Sequence, residues 1–149
     1  MTKVKPVRVK IEIPKDSNVK YEYDKQNNVL VVDRILKKTY PFNYGFVPYT
    51  KWDDGDPLDV IVLGNFSLHP CVELAATPIA LIYMNDNGES DDKLVVTVSD
   101  SDKLSYFSWR KIKKFLLTYK KGVIINGYTK DAKKIQEAVE KSIMQYCKK

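Results

Sequence analysis

Val7-Arg8-Val9-Lys10-Ile11-Glu12-Ile13-Pro14 alternates apolar and charged side chains and stops at a proline. That pattern predicts a half-buried β-strand with Glu12 on its polar face. Reading outward, Val19-Lys20-Tyr21-Glu22-Tyr23 repeats the period, with Lys20 and Glu22 on one face and the tyrosines on the other. Val29 to Val32 reads as a third strand that delivers Asp33 and Arg34 at its end, and Asp24 to Asn28 has the composition of the hairpin turn between these two. Thr39 to Pro48 is aromatic and broken by Pro41 and Pro48, which predicts a structured loop rather than a central strand. Val60 to Leu63 and roughly Ala75 to Met84 are further apolar strands. The second runs into Asn85 to Lys93 and returns as Leu94 to Val98, a hairpin with an acidic tip.

From Ser105 the period changes. Trp109, Ile112, Phe115, Leu116 and Tyr119 share a helical face, and Gly122 stops it. Val123 to Ile125 predicts a short strand; Thr129 is then expected to cap a helix with Ala132, Ile135, Val139, Ile143 and Tyr146 inward. Strands followed by two helices predict a mainly β, α+β chain. The expected architecture is an OB-like closed five-stranded β-barrel with additional hairpin strands and two flanking α-helices. With 149 residues, the chain is the size of a single domain, expected to span 1–149.

Lysine and arginine outnumber acidic residues by 25 to 19, a formal charge of +6 that admits either nucleic acid or a small polyanion as partner. Much of the excess falls on predicted helices, at Lys111, Lys113, Lys114, Lys133 and Lys134, where a solvated face accounts for it. Cys71 and Cys147 lack metal-ligand spacing and His69 is the only histidine, so zinc is not expected. Two cysteines so far apart in the sequence point to the cytoplasm. No apolar run reaches the length of a membrane span, and the charged N-terminal stretch is unlike a signal peptide, so no anchor is expected.

Asp54-Gly55-Asp56-Pro57-Leu58-Asp59 packs three carboxylates directly before a strand. Carboxylates that close repel one another, so the folded cluster needs protons or cations, and hard oxygen donors suit Mg²⁺ or Mn²⁺. The same composition also serves an ordinary turn. Elsewhere Glu12, Lys20, Glu22, Arg34, Asp86, Asp91 and Lys93 carry charges that would converge on one site, though each has a plain reading as a solvated or paired surface group.

Taken in order, these pieces resemble the soluble inorganic pyrophosphatases of the first, magnesium-dependent family. The resemblance rests on Asp54-x-Asp56-Pro57-x-Asp59, with Ile11-Glu12-Ile13-Pro14, Lys20-Tyr21-Glu22, Asp33-Arg34, Tyr40 to Phe46, Asp86-x-Gly88-Glu89-x-Asp91-x-Lys93 and Tyr119-Lys120. It implies hydrolysis of pyrophosphate with several Mg²⁺ ions, Mn²⁺ substituting. By resemblance Asp54, Asp59 and Asp91 are direct metal ligands, Asp86 a ligand for a further ion, and Glu12 and Glu22 outer carboxylates. Asp56 resembles the general base, and Tyr44 is assigned to the catalytic set. Lys20, Arg34, Tyr44, Lys93, Tyr119 and Lys120 resemble the phosphate clamp, with Tyr40 and Asn43 as supports. Trp52 and Trp109 are read as packing residues. The resemblance also implies a homo-oligomer, hexameric in bacterial relatives. Three departures stand out: Asn87 in place of a glutamate, a short segment between Leu104 and Trp109, and Lys114 and Thr118 where hexameric relatives carry histidines. The rival reading is an OB-type nucleic-acid-binding module, suggested by the barrel, the basic charge and the aromatic stretch Tyr40 to Tyr49.

Overall fold

The computed structural model describes residues 4–148. In chain order the elements are β1 (Val7–Ile13), β2 (Val19–Asp24), β3 (Val29–Ile35), β4 (Asn43–Phe46), β5 (Asp59–Leu63), β6 (Glu73–Asp86), β7 (Glu89–Ser90), β8 (Lys93–Thr97), α1 (Tyr106–Thr118), β9 (Val123–Thr129) and α2 (Ala132–Cys147). Strands pair in the order β1, β4, β5, β8, β6, and β6 pairs again with β1, which closes a five-stranded ring. That is the OB-like barrel expected from the sequence. The long β6 serves two partners in succession, β1 at Glu73 to Ala76 and β8 from Thr77, and its far end extends to β9 and β7. A separate two-stranded sheet is formed by β2 and β3.

The parallel pair β5–β8 is buried on both faces, which explains its unbroken apolar run. Val60, Val62, Leu94 and Val96 pack with Ile135, Ala138 and Val139 of α2. Ile61, Leu63 and Val95 pack with Ile112, Phe115 and Leu116 of α1. Strand alternation continues this second row outward to Asp59 and Lys93, which face each other in register. The core row therefore ends in charge.

The chain departs from the sequence reading at several points. Asn43–Phe46 is not loop but strand β4, lying between β1 and β5. Pro41 and Pro48 flank this strand instead of interrupting its ladder, and Gly45 lets it approach β1. A Cβ at Gly45 would sit 1.9 Å from the Lys10 carbonyl oxygen. β9 runs on to Thr129, so the cap of α2 is Asp131, whose side chain accepts from the Lys133 N–H at 2.9 Å. The inward face of α2 is Ile135, Ala138, Val139 and Ser142; Ile143 and Tyr146 are 44% and 50% exposed. At roughly 100° per residue Ser142 lies about 20° around the helix from Ile135, whereas Ile143 lies about 80° away at the edge of the apolar stripe.

Candidate active site

Two β-bulges turn charged side chains toward one another. Ile11 pairs with Gly45 and Ile13 with Tyr44, leaving Glu12 as the extra residue; its neighbours Ile11 and Ile13 pack into different cores. On β3, Lys20 faces Arg34 and Tyr21 faces Val32, so Asp33 is extra. A bulge redirects side chains in this way at strand edges. Lys20 Nζ consequently lies 3.5 Å from Glu12 and 3.6 Å from Asp33.

The bulged strands border a cavity of about 600 Å³. Its walls carry Glu12, Lys20, Arg34, Tyr44, Asp54, Asp56, Asp59, Asp86, Asp91, Lys93, Tyr119 and Lys120. Every residue given a ligand, clamp, catalytic or supporting role from the sequence lines this cavity except Glu22 and Asn43. Glu22 is exposed further along β2, opposite Val31. Asn43 is fully buried and ties two loops together: its Oδ1 accepts from the Lys15 and Leu68 N–H groups at 2.9 and 2.8 Å, and its Nδ2 donates to the Phe66 carbonyl.

Asp54, Asp59 and Asp91 each place a carboxylate oxygen within 4.8 Å of the other two. Burial pushes all three carboxyl groups above their ordinary value, and Lys93 offsets this only partly at Asp59 and Asp91. Glu12 is also raised by burial, against the opposing pull of Lys20. Lys93, 1% exposed, donates to Asp59 Oδ2 at 2.6 Å and Asp91 Oδ1 at 2.9 Å. Burial alone would depress its ammonium, but the two carboxylates outweigh it and hold Lys93 above its usual range. One ammonium among three clustered carboxylates leaves negative charge unbalanced. An all-oxygen, partly buried donor set with surplus charge fits a hard divalent cation.

The remaining walls are held by local geometry. Asp54 accepts the Asp56 N–H at 3.1 Å, an Asx-type turn that fixes the Asp56 backbone and leaves its side chain exposed at the cavity. Asn87 and Gly88 form the tip of the β6–β7 hairpin, both with positive φ. Asn87 donates from its backbone to the Gly122 carbonyl at 3.0 Å and from its Nδ2 to Asp86 at 3.0 Å. This joins the hairpin to the turn after α1, where Lys120 pairs with Asp86. Asn87, the departure from the family glutamate, thus anchors the Asp86 side chain. Tyr44, Tyr40 and Tyr119 form a ring cluster with Phe115; Tyr119 stacks on Phe115 at 5.4 Å and Tyr40 lies 5.3 Å from Tyr44. Burial, reinforced by the Asp59 charge, keeps the Tyr44 hydroxyl protonated well above its ordinary range. The packing roles read for the tryptophans hold: Trp52 is buried in the core beside α2, and Trp109 lies 4.6 Å from the Tyr128 ring.

The sequence pattern of the family described as inorganic pyrophosphatase matches residues 9–147. The chain belongs to the inorganic pyrophosphatase family. It is 46% identical over 109 residues to the inorganic pyrophosphatase of Saccharolobus solfataricus, covering 72% of this chain and 63% of that protein. Identity to the Helicobacter pylori inorganic pyrophosphatase is 38% over 156 residues, covering 93% of this chain and 90% of the relative. Among solved structures, the Coxiella burnetii inorganic pyrophosphatase superposes with a TM-score of 0.83 at 31% identity, covering 97% of both chains.

The nucleic-acid reading is not favoured: the chain belongs to the inorganic pyrophosphatase family, and Asp54, Asp56, Asp59, Asp86 and Asp91 line a cavity rather than an open cationic groove. Three charged cavity residues escaped the sequence reading as site groups, namely Lys37, Lys38 and Glu89. Glu89 faces Asp86 across the hairpin, a position that the Asn87-Gly88 turn signal predicts. Lys37 and Lys38 lie on an irregular bend with no periodicity to place them.

Proposed function

We propose that this protein hydrolyses inorganic pyrophosphate to two phosphates in the cavity bordered by Glu12, Asp54 and Asp91. The reading is carried by the three-carboxylate cluster of Asp54, Asp59 and Asp91 lying in the same cavity as Lys20, Arg34 and Lys120. That combination suits a substrate that arrives as a metal complex with anionic oxygens left over. Divalent ions, Mg²⁺ foremost, would be held by Asp54, Asp59 and Asp91, with Asp86 and Glu12 at the borders of the group. When bound, such ions acidify a water molecule and neutralise phosphate charge.

The chain's own residues supply the rest. Asp56 takes the proton from the attacking water, whose oxygen forms the new bond to phosphorus as the bridging P–O bond breaks. The electron pair leaves with the second phosphate. Arg34, Lys20, Lys93 and Lys120 stabilise the charge that gathers there, and the protonated hydroxyls of Tyr44 and Tyr119 donate hydrogen bonds to it. Glu22, exposed on β2, would act only on the outer hydration of the ions.

The test is phosphate release from pyrophosphate by purified protein, with Mg²⁺ and with chelator. Two phosphates per pyrophosphate, and only with divalent metal, is the expected result. Absence of turnover with Mg²⁺, Mn²⁺ and other divalent ions alike would refute it. A cytoplasmic location is supported by the two free cysteines. Self-association is supported by the exposed Tyr106, Phe107 and Leu117 on α1 and Val32 and Ile35 on β3. Among the described residues no helix is long and apolar enough to cross a membrane.

A further inference from the structure

The cations lining the cavity fall into two groups. Lys20, Lys93 and Lys120 are each engaged by carboxylates: Glu12 with Asp33, Asp59 with Asp91, and Asp86. Arg34, Lys37 and Lys38 also line the cavity, yet none of them makes a salt bridge among the described residues. These three occupy one short stretch at the end of β3 and the bend that follows. Positive charge left uncompensated at the border of a carboxylate-lined cavity is arranged for an anion that comes from solution.

The bend is also held in place. The Leu36 N–H donates to the Asn18 carbonyl at 2.7 Å, and the Tyr40 N–H donates to the Ser17 carbonyl at 2.9 Å. Tyr40 is itself buried in the aromatic cluster beside the site. Lys37 and Lys38 are therefore exposed side chains on backbone that is pinned on both sides. A fixed backbone reduces the ordering cost that a flexible lysine would otherwise impose on binding.

We propose that Lys37 and Lys38 are substrate-binding residues that, with Arg34, form a cationic lip receiving the phosphate oxygens of the diphosphate. The assignment rests on the pyrophosphatase reading and extends it to residues outside the family motif. The lip contacts substrate in the ground state and the transition state alike, so it acts on affinity more than on the chemical step.

The test compares wild type, Lys37→Ala/Lys38→Ala and a charge-matched control, Lys133→Ala/Lys134→Ala on α2. Steady-state hydrolysis of pyrophosphate at saturating Mg²⁺ is measured beside calorimetric binding of imidodiphosphate, a diphosphate with a non-hydrolysable bridge. The lip variant is expected to raise KM and the imidodiphosphate Kd about tenfold, with kcat changed much less. Lys37→Arg/Lys38→Arg is expected to recover most of the affinity, and the α2 control to bind as wild type does. KM and Kd within twofold of wild type in the lip variant would overturn the proposal. So would an equal effect in the α2 control, which would mark the change as one of net charge. A wild-type protein without pyrophosphate turnover would instead defeat the pyrophosphatase reading, and the imidodiphosphate affinities would still decide the lysine pair.

Discussion

Lys93→Met keeps the side-chain length and deletes its charge. Lys93 is 1% exposed and bridges Asp59 and Asp91 at 2.6 and 2.9 Å, so water does not replace the missing ammonium. Its place 5.5 Å from the Tyr44 ring centroid becomes apolar as well. Removing one partner from a buried ion pair costs about 3–5 kcal/mol, because the charge left behind has neither solvent nor counter-ion. At neutral pH and without metal, the variant is expected to lose about that much unfolding free energy, a drop in Tm on the order of 10 °C for a chain of this size. The sign with pH follows from the carboxyls. Asp59 and Asp91 already titrate above their unfolded values because of burial, and loss of Lys93 drives them further up. A group raised on folding adds stability below its unfolded pKa and loses it as pH rises through the folded one. The deficit is therefore largest at neutral pH and shrinks on acidification. Urea unfolding followed by tryptophan fluorescence, in chelator, at neutral and mildly acidic pH, measures both quantities. Excess Mg²⁺ should restore about 2.7 kcal/mol at a hundredfold excess over its Kd. A loss below about 1 kcal/mol at neutral pH, or a deficit that grows on acidification, would refute the counter-ion argument.

Asp56→Asn should lower kcat by about 10²–10⁴ with little change in unfolding free energy, since the side chain is exposed; kinetics and urea melts on one preparation check both halves. Gly45→Ala drives a methyl group into the Lys10 backbone, which has no flexible atom to yield. The cost is expected to exceed the roughly 1–3 kcal/mol typical of overpacked cores, and a melt within about 0.5 kcal/mol of wild type would contradict the close approach of β1 and β4. Metal affinity should fall as pH drops, beginning above the usual carboxylate range because burial raises Asp54, Asp59 and Asp91; calorimetric Mg²⁺ titrations across mildly acidic pH will show whether the decline starts there.

The strand pattern was legible wherever one face met solvent. Val7 to Ile13 and Val19 to Asp24 show their alternation openly, and the switch of period at Ser105 marks α1 with its cap in place, Ser105 accepting from the Ser108 N–H. β4 was hidden because its neighbouring prolines imitate a loop, and only three-dimensional pairing shows that they bracket the ladder. In the site, the Asp54 to Asp59 segment and the Asp86 to Lys93 hairpin were readable from composition. Alternation alone places Glu12 on the polar face of β1, but not the bulge that turns it to the cavity, since bulges depend on register with a partner strand. Nor does spacing place Lys37 and Lys38, whose position follows from hydrogen bonds to Ser17 and Asn18 across a different turn.

The parallel register of β5 and β8 sets Asp59 opposite Lys93 at the end of the row that Ile61 and Val95 continue into the core. Side-chain period is two, so a slip of one residue in β5 would turn Ile61 and Asp59 to the opposite face together. Because β5 is apolar on both faces, a slipped strand would still bury its side chains, but Asp59 would leave the cluster with Asp54 and Asp91. Recovered metal affinity after refolding would thus report on β-strand alignment, and a binding titration would serve as a conformational audit of the barrel.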